Sequence, residues 1–311
     1  MPNTSPVLFL VFNRPALTAE VFKTIRKNRP AKLFIAADGP REGRNDEDLC
    51  SEVRSIATKV DWPCEVQTLF RAANLGCGKA VSEAISWFFD HVEQGIILED
   101  DCLPDDSFFK FCDELLDKYA TTDKVMAITG TSFIPNEWKI NKQSYCFAQG
   151  GIWGWASWRR AWKLYDYNMS DWKDQPNRDK IKKTMQNKNW FAFYFGLFEG
   201  TYQKKIDTWD VQWTYCIFNK DGLSINPSVN LVTNIGFGKD ATHTGGADSP
   251  FAMMASGKMV FPLKHPKKLE IDKMYLRASF RYVFNFNKSY SRMLKSWARL
   301  YLNRIKKNNS F

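Results

Sequence analysis

The sequence lacks the features that mark a disulfide-rich, zinc-thiolate or membrane-spanning protein. Its seven cysteines are scattered, form no Cys-x-x-Cys pair and show no spacing typical of a disulfide framework, which favours a reducing compartment. No stretch approaches the roughly 20 apolar residues of a membrane-spanning helix, and the apolar run at residues 7–12 is also too short for a signal-peptide core. We therefore expect a soluble or peripheral protein of the cytoplasm.

The net charge of +10 would suggest a nucleic-acid partner if it were spread over the whole chain. Thirteen Lys and Arg against Glu270 and Asp272 give residues 264–311 a net charge of +11, so residues 1–263 carry −1. The larger part of the chain is near neutral and offers no extended basic groove. We expect no nucleic-acid partner.

Apolar runs alternate with amphipathic segments along the first 130 residues. A succession of this kind predicts an α/β fold with a Rossmann-like, doubly wound and mostly parallel sheet that has helices on both faces. A helix is predicted in each gap between the runs. The strands are predicted at residues 7–12, 32–37, 64–70, 96–98 and 125–129.

The fourth of these runs ends abruptly in three consecutive carboxylates, Glu99, Asp100 and Asp101. The carboxyl ends of parallel strands bind ligands in open α/β sheets, and Arg14 and Asp38 follow two neighbouring strands at the same edge. Adjacent carboxylates repel one another, so a cation is expected to hold them together. Hard oxygen ligands without a nearby Cys or His pair favour Mg²⁺ or Mn²⁺ over zinc. Taken alone, the stretch is equally consistent with an acidic turn between strand and helix.

A short glycine motif precedes the third predicted helix. Gly76 and Gly78 would let the backbone approach a phosphate, and Lys79 and the helix dipole would supply positive potential. A simple strand-to-helix turn explains the same residues, and the motif alone does not decide between them.

A second glycine-rich stretch, at residues 235–246, contains four glycines together with Lys239, Thr242 and His243. This composition indicates a mobile loop that contacts phosphate oxygens and closes as a lid, which would exclude water. A lone histidine in such a loop is more often an ordinary loop residue, so we assign His243 no role as a base.

Tryptophan is concentrated in two places. Three Trp and three Gly lie within residues 150–158, which indicates either an irregular core turn or an aromatic wall on which a sugar stacks. Further along, Asp207 and Asp210 lie beside Trp209. A carboxylate in an aromatic setting loses solvation, which raises its pKa and suits a general base. A helix-capping aspartate remains an equal alternative.

With these pieces assembled, the chain resembles GT-A glycosyltransferases, and more narrowly the inverting N-acetylglucosaminyltransferase I type and its bacterial relatives. The ordered set of motifs spans roughly residues 6–250 and is more specific than any single motif. The matching motifs are Phe12-Asn13-Arg14, Asp38-Gly39, Glu99-Asp100-Asp101 followed by Phe108-Phe109, Gly154-Trp155, Trp209-Asp210 with Trp213, and Phe237-Gly238 before the glycine-rich loop.

The resemblance implies a role for each matched residue. Glu99 and Asp100 would contact the nucleoside or the sugar, and Asp101 would be the direct ligand of Mn²⁺ or Mg²⁺. In that family an Asp of a Trp-Asp-Asp-Trp stretch is the base; the second acid is missing here, so Asp210 is the expected base and Asp207 the reserve. Trp155 and Trp209 are assigned to the acceptor. Arg14 and Asp38 would hold the nucleotide, Asp38 through its base or ribose. The further residues that we expect to bind the donor are Asn13, Lys79, Lys239, Thr242 and His243.

The resulting hypothesis is a metal-dependent, inverting glycosyltransferase. It would move a sugar, with a UDP-GlcNAc-like donor favoured, to a hydroxyl of a surface glycan or a lipid-linked oligosaccharide. The family's eukaryotic N-terminal anchor has no counterpart in this sequence, so we expect a bacterial cytoplasmic enzyme. The alternatives are a sugar-phosphate nucleotidyltransferase, although Asn13-Arg14-Pro15 is not the Gly-rich loop which that class needs, and a non-catalytic glycan-binding homologue.

The basic C-terminal part completes the predicted organisation. We assign residues 1–263 to a catalytic domain, with a donor half at 1–130 and an acceptor half at 131–263, and residues 264–311 to a basic helical tail. Apolar residues at helical spacing in this tail predict an amphipathic helix. Such a helix would hold the enzyme on an anionic membrane surface, the inner face of the plasma membrane, or dock on the protein itself.

Overall fold

The structure is a computed structural model that describes residues 5–138, 142–185, 188–237 and 254–286. Its strands are β1 (Val7–Val11), β2 (Lys32–Ala37), β3 (Glu65–Phe70), β4 (Gln94–Glu99), β5 (Cys102–Pro104), β6 (Val125–Thr129), β7 (Tyr145–Ala148), β8 (Trp155–Trp158), β9 (Leu223–Pro227) and β10 (Val232–Asn234). Its α-helices are α1 (Pro15–Asn28), α2 (Glu47–Ala57), α3 (Cys77–His91), α4 (Asp106–Lys118), α5 (Arg159–Trp162), α6 (Gln175–Met185), α7 (Lys188–Tyr202), α8 (Asp210–Asn219) and α9 (Lys273–Phe286).

Eight of the strands form one sheet in the order β3-β2-β1-β4-β8-β6-β9-β7. Strands β3, β2, β1 and β4 are mutually parallel, and β6 and β9 run in the same direction as they do. Strands β8 and β7 are antiparallel to their neighbours. The predicted mostly parallel sheet is therefore confirmed. A separate pair of antiparallel strands, β5 and β10, lies beside it.

Helices cover both faces of this sheet, as the continuous burial of β1 requires. Its five residues are all buried, and successive side chains point to opposite faces. Val7, Phe9 and Val11 pack with residues of α1, α2 and α4, whereas Leu8 and Leu10 pack with residues of α3, α5 and α8. The doubly wound α/β class predicted from the sequence is thus confirmed.

Strand β8 is the main departure from the predicted succession. It inserts antiparallel between β4 and β6, and it comes from the Trp- and Gly-rich motif rather than from an apolar run. Gly151 explains part of that motif, because it has φ +98 and a Cβ there would lie 2.6 Å from Thr129 Oγ1. The glycines permit a tight entry into the strand, and the following tryptophans fill the core.

The described part of the predicted tail packs against the same sheet. Ile271 forms a parallel bridge with Phe147, and the Asp272 N–H donates to Phe147 O at 2.8 Å. Tyr275 of α9 is 4% exposed. Residues 264–286 therefore dock on the protein, while residues 287–311 lie outside the described residues and their membrane role stays a prediction. Within the described ranges, each helix is too short or too polar to cross a bilayer.

Candidate active site

The acidic end of β4 is joined to Arg14, which directly precedes α1. The parallel register of β1 and β4 brings the two segments together, with Leu10 opposite Glu99. Arg14 Nε donates to Asp100 Oδ2 at 3.2 Å, its Nη2 donates to Asp100 Oδ1, and its Nη1 lies 3.1 Å from Asp101 Oδ2. Asp100 and Asp101 are 3% and 9% exposed. One guanidinium therefore neutralises part of a buried acidic cluster.

The acceptor half brings a further carboxylate towards this cluster. Asp210 lies in the first turn of α8, and its Oδ1 accepts a hydrogen bond from the Thr208 hydroxyl. Burial raises the pKa of Glu99 well above its ordinary value, and the charges of Asp101, Asp100 and Asp210 raise it further. The charge of Asp210 thus contributes to the raised pKa of Glu99, although the two residues lie 111 positions apart in the sequence.

Cys77 lies among these acidic residues, and nothing in the sequence distinguished it as a site residue. Burial raises the pKa of its thiol, with further contributions from Glu99, Asp210 and Asp207. The thiol is therefore kept protonated among three carboxylates. Its place at the first residue of α3 follows from the helix start at Gly76, and an apolar-looking Cys between two glycines carries no chemical signal in the sequence.

Asp38 holds a loop in this structure. Its carboxylate accepts hydrogen bonds from the N–H groups of Gly39 at 2.9 Å, Leu75 at 3.0 Å and Gly76 at 3.1 Å. Burial raises its pKa, and these hydrogen bonds oppose that shift. The guanidinium of Arg54 fixes the backbone on both sides by donating to the carbonyls of Asp38 and Arg71. A contact of Asp38 with a nucleotide stays a prediction.

Asn13 lies in a second polar network next to Arg14. Its Nδ2 donates to Asp46 Oδ1 at 2.9 Å, and Arg41 Nε donates to Asp46 Oδ2 at 2.6 Å. The Arg41 guanidinium lies 5.4 Å from the centroid of the Phe12 ring. Arg41 and Asp46 were not predicted; their spacing from Asn13 gives no signal in the sequence. A donor contact of Asn13 stays a prediction.

The start of α3, for which the sequence left open a phosphate cradle or a simple turn, is occupied by a side chain of the protein. Asp207 Oδ1 accepts the Gly78 N–H at 3.1 Å. Lys79 extends into solvent, with its Nζ 3.8 Å from Glu83 Oε1. A phosphate at this helix start would have to displace Asp207, which favours the simple-turn alternative for the glycine motif. A donor contact of Lys79 stays a prediction.

Both tryptophans predicted to contact an acceptor face the interior. Trp155 and Trp209 are 1% and 2% exposed, and their rings stack with centroids 5.6 Å apart and planes 21° apart. They pack with Trp162 and Trp213 against α3. A sugar cannot reach either ring, because α5, α8 and the sheet enclose them. The predicted acceptor contacts of Trp155 and Trp209 are therefore wrong. Trp155 is a core residue, which fits the core-turn interpretation of residues 150–158, and Trp209 is also a core residue.

Other aromatic side chains lie near the carboxylates and are only half-buried. Trp153 has its ring centroid 5.7 Å from that of Phe237 and 6.4 Å from that of Phe133. Phe237 follows Gly236, where a Cβ would lie 2.4 Å from Asp101 Oδ2. The chain entering the predicted lid therefore passes directly over Asp101. Lys239, Thr242 and His243 of that lid lie outside the described residues.

The donor set at the end of β4 fits a hard divalent cation that is shared with a ligand. Among the residues described, no group of three or more Asp, Glu, His or Cys side chains is arranged to hold a metal by itself. Asp101 supplies carboxylate oxygens beside the pair of Arg14 and Asp100, and its Oδ2 also lies 3.1 Å from Arg14 Nη1. Mg²⁺ and Mn²⁺ accept one or two carboxylates when phosphates and waters complete the shell. The site thus suits a metal held jointly with a diphosphate.

Comparisons with known proteins leave the family open. No sequence-family model matches the chain, and no curated protein matches it. Three solved structures illustrate what it is similar to. The mannosyltransferase PcManGT from Pyrobaculum calidifontis, in complex with GDP-Man and Mn²⁺, is 14% identical and aligns over 53% of this chain and 47% of its own, with a TM-score of 0.34.

The other two similar structures have a lower sequence identity to this chain. An apo UDP-glucose pyrophosphorylase is 11% identical over 52% of this chain and 79% of its own, with a TM-score of 0.32. HddC from Yersinia pseudotuberculosis is 9% identical over 55% of this chain and 85% of its own, also with a TM-score of 0.32. Scores this low carry no functional argument, and the fold class rests on the sheet topology.

Proposed function

We propose that this protein is a metal-dependent glycosyltransferase of the GT-A type. It takes a sugar from a nucleoside diphosphate, with a UDP-GlcNAc-like donor favoured, and transfers it to a hydroxyl of a glycan or lipid-linked oligosaccharide. The observation that carries the proposal is the acidic cluster at the end of β4, where Arg14 fixes Asp100 and Asp101, together with Asp210, whose charge contributes to the raised pKa of Glu99. The carboxylates at the end of β4 suit a diphosphate with its metal, and Asp210 suits a hydroxyl that must lose its proton.

Each group has a distinct task in this scheme. Arg14 holds Asp100 and orients Asp101 towards the donor. Asp101 would bind Mn²⁺ or Mg²⁺, and the metal would act as a Lewis acid that neutralises the charge of the diphosphate. Asp210 accepts the acceptor's hydroxyl proton as the oxygen bonds to the anomeric carbon. The bond from that carbon to the diphosphate oxygen breaks, and the electron pair leaves with the nucleoside diphosphate. Attack from the Asp210 side inverts the anomeric centre.

A panel of substrates tests the function as a whole. The full chain is incubated with Mn²⁺ and UDP-GlcNAc, UDP-glucose, UDP-galactose or GDP-mannose, with and without a mixture of glycosides, and nucleoside diphosphate release is measured. We expect release with one donor and faster release with one acceptor. Pyrophosphate released from a nucleoside triphosphate and a sugar 1-phosphate would instead identify a nucleotidyltransferase. Binding without turnover would identify a glycan-binding homologue.

The aromatic group of Trp153, Phe133 and Phe237 is the surface we assign to the acceptor sugar in place of Trp155 and Trp209. Half-buried rings beside carboxylates suit a pyranose, whose C–H face packs on the ring while its hydroxyls bond to acids. Trp153→Ala is expected to raise the acceptor KM about 5- to 10-fold, equivalent to roughly 1 kcal/mol, and to leave the donor KM unchanged.

The matched control for this substitution is Trp138→Ala. Trp138 is 39% exposed and lies on a short helix of three residues outside the aromatic group. Initial-rate kinetics with the acceptor found in the panel provide the measurement. An unchanged acceptor KM in the Trp153 variant, or an equal rise in both variants, would remove Trp153 from the acceptor site.

A further inference from the structure

Helix α3 begins without a cap of its own. Its N-cap residue is Gly76, which has φ +81 and no side chain to accept a hydrogen bond from the first turn. The first four N–H groups of an α-helix have no partner within the helix, and a side-chain oxygen normally accepts from the second or third of them. The N–H of Gly78, the second residue of α3, is the group such a cap would satisfy.

Asp207 supplies this missing cap from 129 positions further along the chain. Its Oδ1 accepts the Gly78 N–H at 3.1 Å. The fit depends on both glycines: a Cβ on Gly78 would lie 2.5 Å from Asp207 Oδ1 and 2.7 Å from Thr208 O, and a Cβ on Gly76 would lie 2.8 Å from Asp207 Oδ2. The negative carboxylate also lies at the positive end of the helix dipole.

The segment that follows Asp207 leads directly to the proposed base. The Tyr165 hydroxyl donates to Trp209 O at 3.1 Å, and Gln212 Nε2 donates to Thr208 O at 2.6 Å. The Thr208 hydroxyl donates to Asp210 Oδ1. Residues 207–210 are therefore held as one unit, and Asp207 fixes that unit to α3.

Helix α3 in turn is part of the donor half. Ala84, Ile85 and Phe88 of α3 pack in one core cluster with Ile97 of β4, the strand that ends in Glu99. The contacts thus run from the end of β4 through α3 to Asp207 and Asp210. We propose that Asp207 is a positioning residue, which sets the place of Asp210 relative to the carboxylates of β4. This inference rests on the proposed function insofar as Asp210 is the base.

Two substitutions of Asp207 separate positioning from proton transfer. Asn caps helices as well as Asp does, because its amide oxygen accepts the same hydrogen bond, whereas Ala cannot. In the full chain, Asp207→Ala is expected to lower kcat about 10- to 100-fold with the donor KM within about twofold, the effect of a reacting group displaced by roughly 1 Å. Asp207→Asn is expected to keep kcat within about threefold of the wild type.

Hydrogen exchange of the Gly78 amide, followed by mass spectrometry in the protein without substrate, gives a readout independent of catalysis. We expect exchange about 10-fold faster in Asp207→Ala and near wild type in Asp207→Asn. The matched control is Asp272→Ala, because Asp272 Oδ1 caps α9 through the Met274 and Tyr275 N–H groups at the far edge of the sheet. That variant should lose a helix cap without losing kcat.

Each result has a definite consequence. If Asp207→Asn is as inactive as Asp207→Ala, the carboxylate itself takes part in proton transfer and the positioning role is overturned. If Gly78 exchange is unchanged in Asp207→Ala, Asp207 is not the cap and the proposal also falls. If the wild type turns over no nucleotide sugar, the proposed function fails, and the exchange experiment still decides whether Asp207 fixes α3.

Discussion

Replacing Asp101 with alanine is expected to lower kcat by about 10³-fold or more and to abolish the dependence of the rate on Mn²⁺. Neutralising a diphosphate leaving group with a metal contributes several kcal/mol, and each 1.36 kcal/mol is a factor of ten in rate. Asp101 is the carboxylate over which the chain passes at Gly236, and Arg14 retains its two hydrogen bonds to Asp100 in the variant. The fold should therefore persist, as a thermal melt followed by circular dichroism would show.

Two further variants make this result specific. Asp101→Glu should not restore the rate, because a Cβ on Gly236 would already lie 2.4 Å from Asp101 Oδ2, so there is little space at Gly236 for the longer side chain. Asp106→Ala removes an acid that is exposed at the start of α4 and paired with Lys27, so it should leave turnover and Mn²⁺ dependence unchanged. Full activity of Asp101→Ala at saturating donor would refute the metal assignment.

The sheet could be predicted because a buried parallel strand shows in the local sequence as a continuous apolar run. Residues 7–12 and 96–98 are apolar throughout, and both became central parallel strands. The shared edge of Arg14 and Asp101 follows from that topology alone. Strand β8 could not be predicted in the same way, because its four residues carry no alternation and its partners, β4 and β6, lie far away in sequence.

The roles of the tryptophans and of Asp207 depend on contacts between distant segments. Trp155 and Trp153 are two positions apart and chemically identical, and only the packing of α5 and α8 determines which is buried. In the sequence, Asp207 could be either a general base or a helix cap, and the structure shows that its carboxylate accepts a hydrogen bond from the Gly78 N–H. A glycine on either side of Cys77 did signal a close backbone approach, but the sequence does not say whether a phosphate or a protein carboxylate approaches.

Changing Asp210 to asparagine is expected to lower kcat about 10²- to 10⁴-fold while the donor Kd stays within about twofold, because general-base catalysis accounts for a factor of that size. The amide oxygen can still accept the Thr208 hydroxyl hydrogen bond, so α8 should begin at the same place. Donor affinity is measured by calorimetric titration with UDP-GlcNAc and Mn²⁺, and kcat by nucleotide release with acceptor present.

The opposite end of the same helix offers the control for Asp210→Asn. Asp221 follows α8 and is exposed, and its Oδ2 lies 3.0 Å from Lys180 Nζ. Its backbone has φ +51, a conformation that Asn also tolerates. Asp221→Asn should therefore leave kcat unchanged.

If Asp210→Asn retains wild-type kcat while Asp207→Asn loses it, the base is Asp207, and the unit formed by residues 207–210 would present the first of its two carboxylates to the acceptor instead of the second. If both variants keep full kcat, neither carboxylate removes the proton, and the acceptor half must supply another base.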